Sequence, residues 1–262
     1  MRNVSLPRLV KVFRRQMPGK IGVAITLGVF TLMFTVMRII DTGLSGLSED
    51  LLRHDVQHWV ETMWHIAPNM VCIGAAGSFV MLQEKPTAFG YLMLPATMQE
   101  KFISGILITT VGSMAGLLVG FCLADVLSSL LYYTLLPTVW VSGLPDLWRL
   151  LTLQDCYVQG HLEWLGMLDS LSFYLWWHSI CVFCAAVFRK NAILYAFIPF
   201  FLIFPYVWIR SELANDMAGG LYDNWTLPTA ISVGVFSAVL YVAAYRLFPR
   251  RILVGHKIFA FL

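Results

Sequence analysis

Long apolar runs, each closed by a small cluster of charged or turn-forming residues, organise this chain along most of its length. A helix needs roughly 20 mostly apolar residues, at about 1.5 Å each, to cross the hydrocarbon core of a bilayer. Six segments approach that requirement, at about 21–40, 66–82, 102–123, 168–188, 192–209 and 228–247. The second is short and would cross with little tilt. The third could run on toward Leu136, but Asp125 interrupts the apolar pattern and places an outer membrane boundary near that point. Two other stretches are periodic instead of uniformly apolar. Residues 5–17 repeat Leu6, Leu9, Val10 and Phe13 at helical spacing, with Arg8, Lys11, Arg14 and Arg15 between them. That pattern suits a helix lying in the headgroup layer with its cations near anionic lipid, a disordered basic tail being the alternative. Pro18-Gly19 then bends the chain into the first span. Ser48 to Trp64 is the second periodic stretch, with Leu52, Val56, Trp59 and Met63 along one stripe. The predicted fold is therefore an all-α polytopic membrane protein. It has an amphipathic interfacial helix over 1–20, a six-helix transmembrane domain over 21–248 and a tail over 249–262.

Composition strengthens that assignment and charge orients it. Of 262 residues, 58% are hydrophobic and 13% charged, with a mean hydropathy of +0.72, too few charges to cover a water-soluble fold of this size. With the N-terminus inside, the inner segments hold 14 of the 18 basic residues and the outer ones hold 4, namely Arg38, Arg53, Arg149 and Arg210. Basic residues near span ends resist translocation, so the asymmetry favours both termini in the cytoplasm, and an odd number of spans would spoil it. Met1 to Lys20, basic and broken by Pro7 and Pro18, does not read as a cleavable secretory signal. Cys72, Cys122, Cys156, Cys181 and Cys184 are scattered, and only Cys156 lies clearly outside a predicted span, so no disulfide framework is implied. Trp140, Trp148 and Trp164 in the outer loop 137–167 suggest packing at the interface.

Candidate chemistry is sparse. His54, His58, Glu61 and His65 recur at i, i+4, i+7 and i+11, opposite the Leu52 stripe. Imidazole and carboxylate are suitable zinc or copper ligands, but the wet face of an interfacial helix collects the same residues, and that reading is preferred. Gly43-Leu44-Ser45-Gly46 matches the G-x-S-G of rhomboid proteases, yet the last span has no histidine to serve as base. Cys181-x-x-Cys184 has no second ligand pair and reads as buried, inert thiols. Asp125 and His178 are the ionisable residues nearest mid-span, where charge is costly and often functional. Asp125 could instead mark the headgroup boundary, and His178 could be a neutral imidazole bonded between helices. No GxxxxGK[ST] phosphate loop exists, so ATP hydrolysis is not expected of this chain, nor is a catalytic site, a bound cofactor or a nucleic-acid partner.

The most specific segment is the short inner loop Gln83 to Lys101, QEKPTAFGYLMLPATMQEK. Pro86 can open a short helix and Pro95 can close it. Thr97-Met98-Gln99-Glu100 has the S/T-x-x-E form of a capping box at the start of the third span. Phe89, Tyr91, Leu92, Met93 and Leu94 make the preceding turn unusually apolar, rimmed by Glu84, Lys85, Glu100 and Lys101. Such a patch fits either a partner's groove or a dip into the lipid interface.

The run from Leu92 to Ser104 resembles the L-P-x-S/T-x-x-E-K-x-x-S segment of ABC-2-type transporter permeases, matching at Leu94, Pro95, Thr97, Glu100, Lys101 and Ser104. The N-terminal interfacial helix, six spans and cytoplasmic ends are similar as well. The paired re-entrant helices between the last two spans of that family are not evident here. The resemblance implies a permease subunit of the bacterial inner membrane, working as an exporter with a separate ATPase that binds ATP and Mg. It also implies a second permease subunit, identical or a sister chain, and a docking surface for the ATPase at Phe89, Tyr91, Leu92, Leu94 and Pro95. The competing expectations are an ion-coupled secondary transporter, which would want several midplane carboxylates, and a non-transporting membrane partner or anchor.

Overall fold

A computed structural model describes residues 6–16, 20–45, 49–79, 93–135, 140–152, 157–158, 161–162, 164–188, 191–199, 201 and 221–253. Seven helices can be bounded: α1 (Leu6–Gln16), α2 (Lys20–Ser45), α3 (Glu49–Ala75), α4 (Met98–Leu135), α5 (Leu144–Leu151), α6 (Trp164–Val187) and α7 (Leu221–Leu253). Residues 192–199 are helical too. The only strands among the described residues are β1 (Tyr157–Val158) and β2 (His161–Leu162), antiparallel, with Tyr157 opposite Leu162 and Val158 opposite His161. The described residues are thus essentially all-helical.

Among the described residues two helices are long and apolar enough to cross a membrane, Met98–Thr134 and Ala230–Pro249, and 17% of each apolar window is buried. A core helix of a water-soluble protein hides such a surface; these leave Leu107, Val111, Met114, Leu118, Val119, Val235, Val239 and Val242 exposed. Shorter apolar helical stretches occupy Ile25–Ile40 and Leu171–Val187. The segments expected at 102–123 and 228–247 fall inside α4 and α7, that at 21–40 falls inside α2, and that at 168–188 lies in α6 except for its last residue. The segment at 66–82 begins within α3, which ends at Ala75. Tighter bonds follow there, from the Ala76, Gly77 and Ser78 amides to the carbonyls of Ile73, Gly74 and Ala75. Of 192–209, residues 200 and 202–209 lie outside the described residues.

Two boundaries differ from the sequence reading. The amphipathic stretch Ser48 to Trp64 and the second span do not form separate elements, because α3 runs through Pro68 as one helix. A proline lacks one N–H and crowds the carbonyl four residues back, but a helix held by packing on both sides of it survives that loss. The third apolar helix itself does not stop at Asp125, near which the sequence reading places the outer membrane boundary. Helix α4 continues ten residues beyond it to Leu135, because Asp125 is buried and fully engaged by hydrogen-bond partners.

The chain divides into two compact units. One comprises Met1–Met17, Asn69–Val111 and Trp164–Leu262. Its core joins Val12 of α1, Cys72 and Ala75 of α3, Phe102 of α4, Trp177, Cys181 and Ala185 of α6, and Ala244 and Phe248 of α7. Phe79, Phe102 and Phe248 cluster there with ring centroids 4.6–5.6 Å apart, a spacing at which aromatic pairs add to simple area burial. The other unit comprises Pro18–Pro68 and Gly112–Glu163. In it the Leu52, Val56, Trp59 and Met63 stripe is buried, Trp59 stacks on Phe121 at 4.5 Å, and Phe34 meets Phe121 edge-on at 6.1 Å.

Candidate functional site

The start of α4 is built from a short run of sequence. The Ala96 amide bonds the Leu94 carbonyl at 2.7 Å, a three-residue turn centred on Pro95, whose fixed φ suits it. Thr97 follows as the N-cap: its carbonyl accepts the first helical bond from Lys101, and its Oγ1 accepts the Glu100 amide at 3.2 Å. Glu100 answers by accepting the Thr97 amide on Oε2 at 2.7 Å. Two otherwise orphaned amides are satisfied reciprocally, and the carboxylate sits at the positive end of the helix. The other oxygen, Oε1, lies 3.8 Å from Arg8 Nε, so α1 is tied to the same cap. Glu100, Lys101 and Ser104 are all buried.

This arrangement sorts the segment before the helix. Met93 is 82% exposed, whereas Leu94 is half-buried against the core of its unit. Leu94 therefore seats the turn, and Met93 and Pro95 are the described residues that face outward. Phe89, Tyr91 and Leu92 lie outside the described residues. Thr97→Ala is expected to lower stability by about 1 kcal/mol, read as an earlier thermal transition, while Thr97→Ser stays within a few tenths.

The two mid-span residues singled out by sequence are both held by partners, each within its own unit. Asp125 Oδ1 receives Arg38 Nη1 at 2.7 Å and the Gly143 amide at 2.8 Å, and Oδ2 receives the Ser142 hydroxyl at 2.6 Å. Arg38 Nη1 also reaches Ser128 Oγ at 2.7 Å, and Nη2 reaches the Val141 carbonyl at 2.7 Å, which Ser129 shares. The guanidinium lies 5.1 Å from the centre of the Trp59 ring and 5.5 Å from that of Tyr132. Arg38 and Asp125 are each 1% exposed. A buried ion pair is tolerable when further hydrogen bonds reach its charged groups, and here Nη1, Nη2 and both carboxylate oxygens carry them. A carboxylate so enclosed is poorly placed to bind and release a coupling ion.

His178 likewise bridges helices. Its Nε2 is 2.8 Å from Thr110 Oγ1 on α4, and its Nδ1 is 2.6 Å from the Tyr241 hydroxyl on α7. An imidazole with one N–H and one lone pair is matched on both sides by hydroxyls, which can each give or take a proton. Ser78 and Thr109 add a second interhelical hydroxyl pair at 2.7 Å in that unit.

The other candidates stay apart. His54, His58 and Glu61 are exposed on α3, with Gln57 donating to Glu61 at 3.0 Å, and the side chain of His65 lies outside the described residues. Among the described residues no group of three or more His, Cys, Asp or Glu side chains is disposed to hold a metal. Cys181 and Cys184 are buried free thiols. Gly43, Leu44 and Ser45 form the end of α2, with Gly46 outside the described residues.

No family model, curated protein or solved structure matches this chain.

Sequence reasoning missed Arg38 as the partner of Asp125, together with Ser142, Gly143, Thr110 and Tyr241. A signal for Arg38 was present: an arginine inside an apolar helix needs a nearby counter-charge, and Asp125 is the acidic residue in the third apolar segment.

Proposed function

We propose that this chain is the transmembrane permease subunit of an ATP-driven ABC-2-type transporter of the bacterial inner membrane, acting as an exporter. In this reading six spans cross the bilayer with both termini in the cytoplasm. A separate ATPase binds ATP and Mg, and two permease subunits, identical or sister chains, enclose the path. The observation that carries the reading is the geometry of 94–104. Leu94 is anchored in the core, the turn at Pro95 leads without slack into the Thr97–Glu100 cap, and Glu100 also holds Arg8 of α1. A push on the preceding residues would therefore move α4 and α1 together as a rigid body rather than flex a loop. Closure of partner ATPases, transmitted through Thr87 to Pro95, is the motion such a lever suits.

The enclosure of Asp125 favours this reading over ion coupling, since a carrier needs a carboxylate free to exchange its ion. The test is affinity purification of the tagged chain from its native membranes. An ATPase with a GxxxxGK[ST] loop is expected to accompany the wild-type chain. It should be lost from the Phe89→Asp/Leu92→Asp variant, which still elutes as a folded, monodisperse protein. Absence of any such ATPase from the wild type, or undiminished recovery with the variant, would overturn the assignment.

A further inference from the structure

Helix α5 leaves an apolar face uncovered. Leu144, Trp148 and Leu151 recur at i, i+4 and i+7 and so share one face, and they are 38%, 65% and 41% exposed. On the opposite side, Asp146, Arg149 and Leu150 line a cavity of about 340 Å³, across from Gln57, Val60 and Glu61 of α3. A surface helix of a soluble domain buries its apolar stripe and wets its charges. This one leaves the Leu144, Trp148 and Leu151 stripe exposed, with Asp146, Leu147 and Leu150 partly buried on the other side.

That orientation is fixed, not incidental. The residues leading into α5 are nailed down at three consecutive positions: the Val141 carbonyl by Arg38 and Ser129, the Ser142 hydroxyl by Asp125 Oδ2, and the Gly143 amide by Asp125 Oδ1. Gly143 is the N-cap position of α5 and has no side chain with which to cap. Asp125 of α4 instead accepts the amide of Gly143 itself, the bond that the carboxylate of a capping box makes, and so places a carboxylate near the helix N-terminus. Gly143 has no room for a side chain either, since a Cβ there would come within 2.8 Å of Val60 and 3.2 Å of Trp59. So α5 cannot roll to bury its leucines.

We propose that the Leu144–Trp148–Leu151 face of α5 lies in the headgroup–acyl boundary of a lipid bilayer, as an interfacial helix. Three observations select lipid over other occupants. Trp140, 53% exposed, contacts Tyr133 edge-on at 6.3 Å. Tyr133 continues the exposed line Val126, Leu130 on α4, one of the two helices long and apolar enough to span, so the apolar surface is continuous with that helix. Tryptophan and tyrosine at the end of a spanning helix, with an arginine whose stem can reach up to phosphate, form the usual anchor at this depth. Arg149, 55% exposed and 3.7 Å from Asp146, stands at that position on the charged side. The inference rests on α4 spanning a membrane and not on the identity of any ATPase.

The test places a nitroxide, one at a time, at Leu144→Cys, Trp148→Cys, Leu151→Cys and Arg149→Cys. The background is Cys122→Ala/Cys156→Ser, and the full chain sits in nanodiscs of phosphatidylcholine and phosphatidylglycerol. Collision with oxygen, which concentrates in lipid, should exceed collision with a water-soluble nickel chelate at 144, 148 and 151, and the order should reverse at 149. Chelate dominance at 144, 148 and 151 would mean a water-facing helix, and low access by both reagents at all three would mean cover by protein, such as a second copy. Either result overturns the proposal. A measurement without labels gives an independent check: lipids brominated near the headgroup should quench less of the total tryptophan emission in Trp148→Phe than in the wild type. Equal fractional quenching in the two proteins would count against a lipid contact at Trp148.

Discussion

Asp125→Ala is expected to destabilise the chain by about 3–5 kcal/mol, the cost of leaving a buried partner charge uncompensated. The loss goes beyond one ion pair. Arg38, 1% exposed, would keep its bonds to Ser128 and to the Val141 carbonyl but lose its counter-charge. The Gly143 amide and the Ser142 hydroxyl would both lose their acceptor, and α5 the carboxylate near its N-terminus. Removing both charges, as in Arg38→Met/Asp125→Ala, should cost clearly less than the sum of the two single changes, because neither charge is then stranded. It should not return to wild-type stability, since Gly143 and Ser142 remain unsatisfied. Thermal unfolding in a fixed detergent, followed by circular dichroism, measures all four corners of that cycle. A single mutant within about 0.5 kcal/mol of wild type would show that the cluster is loosely solvated and not a lock.

The difference in legibility between the two polar sites has a physical cause. A capping box is local: Thr97 and Glu100 are three residues apart, and backbone geometry alone brings the side chains to each other's amides. The α3 stripe was equally legible, since periodicity needs no knowledge of the partner surface to show which face is buried. The Arg38–Asp125 pair joins residues 87 apart, and a hydropathy count sees each only as a defect in an apolar run. Arg38 was accordingly counted as one of four outer-side charges, and Asp125 as the mark of an outer membrane boundary. Charge counting treats every arginine as solvated near a span end, whereas Arg38 is buried by Trp59, Tyr132 and its hydrogen-bond partners. The rest of the inner loop, including Phe89, Tyr91 and Leu92, lies outside the described residues.

The Arg38–Asp125 cluster needs α2 and α4 close together, and at Gly120 there is no room for a side chain between them. Gly120→Leu is expected to destabilise the chain at or beyond the upper end of the roughly 1–3 kcal/mol typical of overpacking. A Cβ at Gly120 would stand 2.8 Å from Phe30 Cβ, 3.4 Å from the Thr31 amide nitrogen and 3.5 Å from the Phe30 carbonyl carbon. Two of those atoms are backbone and the third is rooted to it, so no rotamer change relieves the clash and α2 itself has to move. Its neighbours provide graded controls. A Cβ at Gly116 would meet only the Phe30 ring at 3.5 Å, an ordinary contact, and one at Gly112 would meet nothing within 4 Å. Gly112→Ala and Gly116→Ala should therefore be neutral or slightly stabilising, through the better helix propensity of alanine. Equal tolerance of leucine at 120 and 112 in thermal unfolding would show that α2 and α4 are not in contact at Gly120. The displacement should also reach the charge cluster. Arg38 lies eight residues beyond Phe30, on the same face of α2, and its 2.7 Å bonds to Asp125, Ser128 and Val141 leave little room for a shift. Gly120→Leu combined with Asp125→Ala should thus cost less than the sum of the two, because the first change already weakens what the second removes.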